Sequence, residues 1–313
     1  MSEARDYKPV DLRGVRTHSL HERPSLVEAG QFAKLPPAGA SVGDLIDSLP
    51  DIYGARALRE LIDAIVAARR ASRPVVAAMG AHVIKCGLGP VIIDLIERDI
   101  ITCVALNGAG AIHDYELALA GRTSEDVAER LKDGTFGMAR ETAAAYAAAA
   151  RRAAEGGIGL GRAIGRLVIE TNCPHRDASL LAAAAGKGIP LTVHVAIGTD
   201  IVHMHPDIDP TQLGQATHTD FRILCSVAAD LEGGVWMNIG SAVVLPEVFL
   251  KVLTVARNMT GGPHEFTTAN LDMIQHYRPR VNVVQRPTGK GITLTGQHEI
   301  LLPLLRLGIL AKL

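Results

Sequence analysis

Residues 74–116 read PVVAAMGAHVIKCGLGPVIIDLIERDIITCVALNGAGAIHDYE, and this stretch decides the fold. Two short, continuous apolar runs, PVVAAMG (74–80) and IITCVALNG (100–108), enclose a segment of helical periodicity, GPVIIDLIER (89–98). Apolar runs of this length without polar alternation suit strands buried on both faces. Strands separated by a helix are joined by crossovers and therefore lie parallel.

The alternation continues outward. Upstream, ALRELIDAIVAARRAS (57–72) repeats apolar residues at helical spacing. Downstream, the pattern predicts an alanine-rich helix from about Met138 to Glu155, a GRLVIET strand (165–171), a DASLLAAAAGKG helix (177–188) and a PLTVHVAIG strand (190–198). A THTDFRILCSVAADL helix, a GGVWMNIGS strand and an AVVLPEVFLKVLTVARN helix follow. RVNVVQRP and GITLTGQHEI (291–300) are expected to form an extra strand pair at one edge. The last helix, EILLPLLRLGILAKL (299–313), is apolar on nearly all sides but too short to span a bilayer. The expected architecture is α/β, doubly wound, with a mainly parallel sheet and helices on both faces. Residues 1–50, with Pro24, Pro36, Pro37 and Pro50, read as an extended arm or a partly disordered tail. Residues 51–313 read as one α/β catalytic domain.

Composition fits this picture. The chain is 48 % hydrophobic but 4 % aromatic, with 31 glycines, which suits Val- and Ile-rich strands covered by Ala-rich helices. Lys plus Arg (32) balances Asp plus Glu (33), so there is no global field to hold nucleic acid or an anionic membrane. Cys86, Cys103, Cys173 and Cys225 form no CxxC pair, which argues against a structural zinc knot or a disulfide framework. With no apolar leader at the charged amino terminus, a cytoplasmic location is expected.

In open parallel sheets ligands sit beyond the carboxyl ends of the strands, so the loops there are the candidate sites. The first, GAHVIKCG, offers Gly80, Ala81, His82 and Lys85 ahead of a helix, either as a phosphate-approaching turn or as an ordinary one. The second, NGAGAIHDYE, offers Asn107, Gly108, Ala109 and Gly110, then His113, Asp114 and Glu116. It begins like a dinucleotide fingerprint, although His113 stands where a third glycine belongs and no acid ends a strand about 20 residues on. GIGLGRAIG (157–165) precedes a predicted strand, so its glycines are expected to mark a bend.

The third loop, GTDIVHMHPD, carries Thr199, Asp200, His203, His205 and Asp207. In an extended segment His203 and His205 share one face, and a carboxylate could complete a metal site; they could equally contact substrate or move protons. The fourth places Gly240 and Ser241 at a helix start, as a phosphate contact or a plain cap.

At these four loops the chain resembles the deoxyhypusine synthase family over roughly residues 70–305, and more loosely the NAD-binding domains of ornithine cyclodeaminases. The resemblance implies NAD across the strand ends, with GAHVIKCG and NGAGAIHDYE as its contacting loops and the Asp200 loop near cofactor and amine. It also implies a homo-oligomer, commonly a tetramer. The family's reactive lysine has no counterpart: the nearest residues are Tyr277, Arg278, Pro279 and Arg280, and an arginine cannot form an imine. Lys290 is close in sequence but sits in a turn-like TGKG setting.

The expectation is therefore an NAD-dependent enzyme for a small polar, amine-containing substrate, without a lysine-imine step. His113 would be the acid/base group oriented by Asp114 or Glu116, while Asp200, His203 and His205 would bind or deprotonate substrate. A metal-dependent hydrolase built on His203, His205 and Asp207, and a non-catalytic nucleotide-binding protein, are the alternatives.

Overall fold

The computed structural model describes residues 6–313. Six strands form one sheet: β1 (Val75–Met79), β2 (Cys103–Asn107), β3 (Leu191–His194), β4 (Val235–Ile239), β5 (Thr267–Asp272) and β6 (Gly291–Thr295). Every pairing is parallel and the order is β3-β2-β1-β4-β5-β6, so the chain reverses direction across the sheet between β1 and β4. The helices of eight residues or more are α1 (Tyr53–Arg70) before β1, α2 (Gly89–Glu97), α3 (Gly108–Ala120), α4 (Arg140–Gly156), α5 (Leu160–Glu170), α6 (Leu180–Lys187), α7 (Pro210–Ala229) and α8 (Val244–Thr260) in the crossovers from β1 to β5, and α9 (His298–Lys312) after β6.

The two-residue period of the strands divides the core. Val75, Ala77, Met79, Met237 and Ile239 enter one cluster with α1, α2 and α9, while Val76, Ala78 and Trp236 enter the other beneath α8. There Trp236 stacks on Phe249 with centroids 4.2 Å apart, and Phe249 meets Phe266 edge-on.

Three elements differ from the sequence reading. GRLVIET belongs to α5, because Leu160, Ala163, Ile164 and Val168 recur at helical spacing and are all buried. The glycines of GIGLGRAIG accordingly serve close packing: a Cβ on Gly161 would lie 2.6 Å from Leu191 O, and one on Gly165 2.4 Å from Leu181 O. RVNVVQ is π-helical (Arg280–Gln285), so only Gly291–Thr295 joins the sheet, as a parallel edge strand with alternating burial. The strand TTANLD went unforeseen because Thr268 and Asn270 interrupt its apolar pattern; Asn270 is buried and accepts from Asn238 Nδ2 at 2.7 Å.

Residues 6–40 contain only the single 3-10 turns Leu12–Gly14 and Ala29–Gln31. Among the described residues all four cysteines are free, and no helix is long and apolar enough to cross a membrane.

Candidate functional site

The carboxyl ends of β1, β2 and β3 and the start of α8 enclose a cavity of about 330 Å³. Lys85 reaches it from the loop after β1, Asn107, Ala109, His113 and Glu116 from the start of α3, and Thr199 and Asp200 from the loop after β3. Seven of the residues picked from sequence thus share one wall. Sequence reading does not single out others of the lining, among them His194 at the end of β3, and Ser124, Glu125 and Phe136 from the segment after α3. His194 had left a signal, an imidazole inside an otherwise apolar strand. Glu125 had left none, because one acid in a charged surface stretch is unremarkable by pattern.

His113 is held by its neighbours on and beyond α3. Its Nδ1 lies 2.6 Å from Thr123 Oγ1, and that hydroxyl donates to Glu116 Oε2 at 2.5 Å. Glu116 Oε1 accepts from Thr142 Oγ1 at 3.0 Å, and the direct His113–Glu116 separation is 4.0 Å. Burial lowers the His113 pKa, opposed by the Glu116 charge, so the ring is kept neutral and able to accept a proton. His194 is 4 % exposed, its Nε2 lies 3.1 Å from Thr192 Oγ1, and burial pushes its pKa down to about 4. Three carboxylates, Glu116, Glu125 and Asp200, face the cavity against the single ammonium of Lys85. The electrostatic balance therefore favours a cationic ligand.

Asp200 changes the meaning of the glycine-rich turn. Its Oδ2 accepts from Ala196 N at 2.9 Å, and the carboxylate also accepts from the Ala109 backbone. The amino terminus of α3, with Asn107 Oδ1 accepting from Gly110 N at 2.8 Å, is thus closed by side chains of the chain itself. Gly108 leaves space for Asp200, and its carbonyl accepts from the Tyr146 hydroxyl at 3.1 Å. The expected role of Gly108 and Gly110 as a pyrophosphate cradle does not match this arrangement, since a phosphate would meet a carboxylate in the same place. Burial raises the Asp200 pKa, against the pull of its backbone donors.

Other predicted residues lie elsewhere. Asp114 is 1 % exposed and faces away from the relay: it accepts from Ser179 Oγ and from the backbone N–H of Leu180 and Leu181, so it caps α6 and does not orient His113. Gly80 and Gly240 meet each other, a Cβ on Gly80 falling 2.1 Å from Gly240 O, so Gly80 serves the close approach of the β1 and β4 loops. Gly240 has φ +63° beneath the His298 ring. Ser241 is buried and accepts from Leu245 N at 3.2 Å, as a helix cap. Ala81 precedes the single turn His82–Lys85, where His82 Nε2 is 3.2 Å from Cys86 Sγ.

The histidine loop is a 3-10 turn, Ile201–Met204, so His203 and His205 do not share an extended face. His203 Nδ1 donates to Asp200 O at 3.0 Å, and His205 Nε2 donates to Gly137 O at 3.0 Å. No group of three or more His, Cys, Asp or Glu side chains among the described residues could hold a metal ion, so His203, His205 and Asp207 do not form the site the hydrolase reading needs. Lys290 immediately precedes β6, at the opposite end of the sheet from the cavity, and pairs with Glu265 at 3.0 Å. Arg278 pairs with Glu247 at 3.2 Å.

Neither family models nor curated protein sequences match the chain. Solved structures do resemble it in fold. A conserved LOR/SDH protein from Methanococcus maripaludis S2 is 15 % identical, with a TM-score of 0.54 over 90 % of this chain and 75 % of that one. AgrE in ternary complex with ornithine and NAD+ is 16 % identical, with a TM-score of 0.52 over 83 % of this chain. The match spans only 34 % of the AgrE chain. A protein named for deoxyhypusine synthase, from Entamoeba histolytica, is 11 % identical, with a TM-score of 0.51 over 87 % of this chain and 94 % of that one. At these identities the likeness is one of fold.

Proposed function

We propose that this protein is an NAD-dependent enzyme that oxidises a small cationic amine bound in the cavity at the ends of β1 to β3, with His113 as the proton acceptor. The observation that carries the reading is the cavity itself: a hydrogen-bonded imidazole set among three carboxylates and one lysine. The fold-level likeness to a protein crystallised with ornithine and NAD+ supports the same choice of ligands.

The residues present fit the nicotinamide end of a dinucleotide better than its phosphates. Asn107 and Thr199 offer polar contacts, Asp200 can accept from ribose hydroxyls, and Lys85 is the cavity's one cation for a phosphate. The amino terminus of α3 is closed by Asp200, so Lys85 would be the residue to hold the phosphates. When bound, the nicotinamide would supply the hydride acceptor. The chain's own part is to hold the ammonium near Glu116, Glu125 and Asp200, to exclude water, and to take the substrate's proton on His113. With Lys290 at the far end of the sheet and Lys85 assigned to a phosphate, no lysine-imine transfer is assigned, and the product is released as a small molecule.

The test is turnover of NAD with ornithine, arginine, putrescine and spermidine, followed by absorbance of the reduced nicotinamide. Reduction with one or more of these amines, lost by about 10²- to 10⁴-fold in His113→Gln, is expected. Reduction undiminished in that variant would remove His113 from the reaction. Absence of reduction with every cationic amine would overturn the substrate class.

A further inference from the structure

We infer that Thr123 is a positioning residue that fixes the tautomer of His113. The inference rests on the proposed role of His113 and deepens it. A threonine hydroxyl has one proton to give, whereas an ionised carboxylate can only accept. Glu116 receives a hydroxyl on each oxygen, from Thr142 at Oε1 and from Thr123 at Oε2. The single proton of Thr123 is therefore committed to Glu116, and its oxygen is left to accept. Among the described residues the only donor against it is His113, at 2.6 Å, so the neutral ring carries its hydrogen on Nδ1. Nε2 is left unprotonated, with no hydrogen-bond partner among the described residues, on a ring that lines the cavity.

The arrangement orders three elements around one ring nitrogen. Glu116 and His113 sit on one face of α3 with i,i+3 spacing, Thr123 lies just past the helix's end, and Thr142 comes from α4. Glu116 is 4.0 Å from Nδ1, too far to accept its proton directly, so the carboxylate acts on the ring through the hydroxyl. When Nε2 takes a proton the ring becomes cationic, and Glu116 stabilises it across Thr123. A carboxylate orienting a histidine in this manner fixes both tautomer and ring plane. Sequence reading could not find Thr123, because it lies in the polar stretch GRTSED with nothing to distinguish it from a surface turn.

The experiment is long-range 1H–15N correlation of the histidine rings in the ligand-free protein, with His113→Gln to identify the resonance. In the wild type above its titration, His113 should show the Nδ1–H pattern; Thr123→Val should shift it toward Nε2–H, and Thr123→Ser should restore it. A wild-type ring in the Nε2–H form, or a Thr123→Val ring unchanged, would overturn the inference. Because the readout needs neither cofactor nor substrate, it stands or falls separately from the amine-oxidation reading. Should Thr123→Val not fold, the wild-type spectrum alone decides. Where turnover is measurable, Thr123→Val should lower kcat by about 10- to 100-fold with KM little changed, as partners that orient ligating histidines do.

Discussion

Asp200 and Gly108 compete for one space: a Cβ built on Gly108 would lie 2.1 Å from Asp200 Oδ2. The glycine of a loop that reads like a dinucleotide fingerprint is therefore required by an internal carboxylate. That carboxylate also accepts from Ala196 N at 2.9 Å and so fastens the loop after β3 to the start of α3. Gly108→Ala should cost about 1–3 kcal/mol through overpacking. In an Asp200→Gly background the same change should cost far less, since the clash is gone. Urea unfolding of the four proteins of this cycle checks it; additive costs would mean that the two residues do not share the space.

Asp114 and His113 are adjacent in sequence but serve different ends. Asp114→Ala strips the caps from two backbone N–H groups of α6 and from Ser179 in a buried setting, and should cost about 2–4 kcal/mol. His113→Gln, at a half-buried cavity wall, should change stability by less than about 1 kcal/mol. Equal destabilisation by the two changes would contradict the division of roles.

His194 gives the acid limb of the stability curve a definite sign. Its ordinary pKa of 6.5 falls to about 4 in the folded protein, so between those values the unfolded chain binds more protons. Stability contributed by keeping this ring neutral is complete above pH 6.5 and declines as the pH falls toward 4. The decline attributable to this ring is on the order of 3 kcal/mol across the window. Chemical denaturation of wild type and His194→Gln at intervals from pH 7 to pH 4 should show a shallower acid limb in the variant. Parallel limbs would mean that the ring titrates normally when folded.

The parallel α/β architecture was legible because buried strands such as VVAAM and CVALN are unbroken apolar runs, each followed by a glycine and a helix. β5 escaped because Thr268 and Asn270 are polar yet buried, and the hydrogen bond that Asn270 accepts from Asn238 on β4 is invisible along the chain. GRLVIET misled because a short run of β-branched and apolar residues fits either period until Gly161 and Gly165 are seen packing against Leu191 and Leu181. At the site, the strand-end rule led to Lys85, Asn107, His113, Glu116, Thr199 and Asp200, all in one wall. What it could not assign was who partners whom. Asp114 looked like His113's partner because it is next in sequence, but successive helix residues point about 100° apart. The true neighbour, Thr123, arrives only after the helix has ended. His203 and His205 looked like a pair until the turn Ile201–Met204 sent one to Asp200 and the other to Gly137.

Binding of the dinucleotide tests the account most directly. Thermal unfolding of the protein should be followed with NAD, NADP and ADP-ribose, in wild type and in Lys85→Ala. A ligand present at 100 times its dissociation constant adds about 2.7 kcal/mol to the native state, which for a chain of this size is a rise of a few degrees in Tm. The account predicts that rise for wild type with NAD or NADP and a smaller one for Lys85→Ala. No change in Tm at millimolar concentrations of either dinucleotide would contradict it.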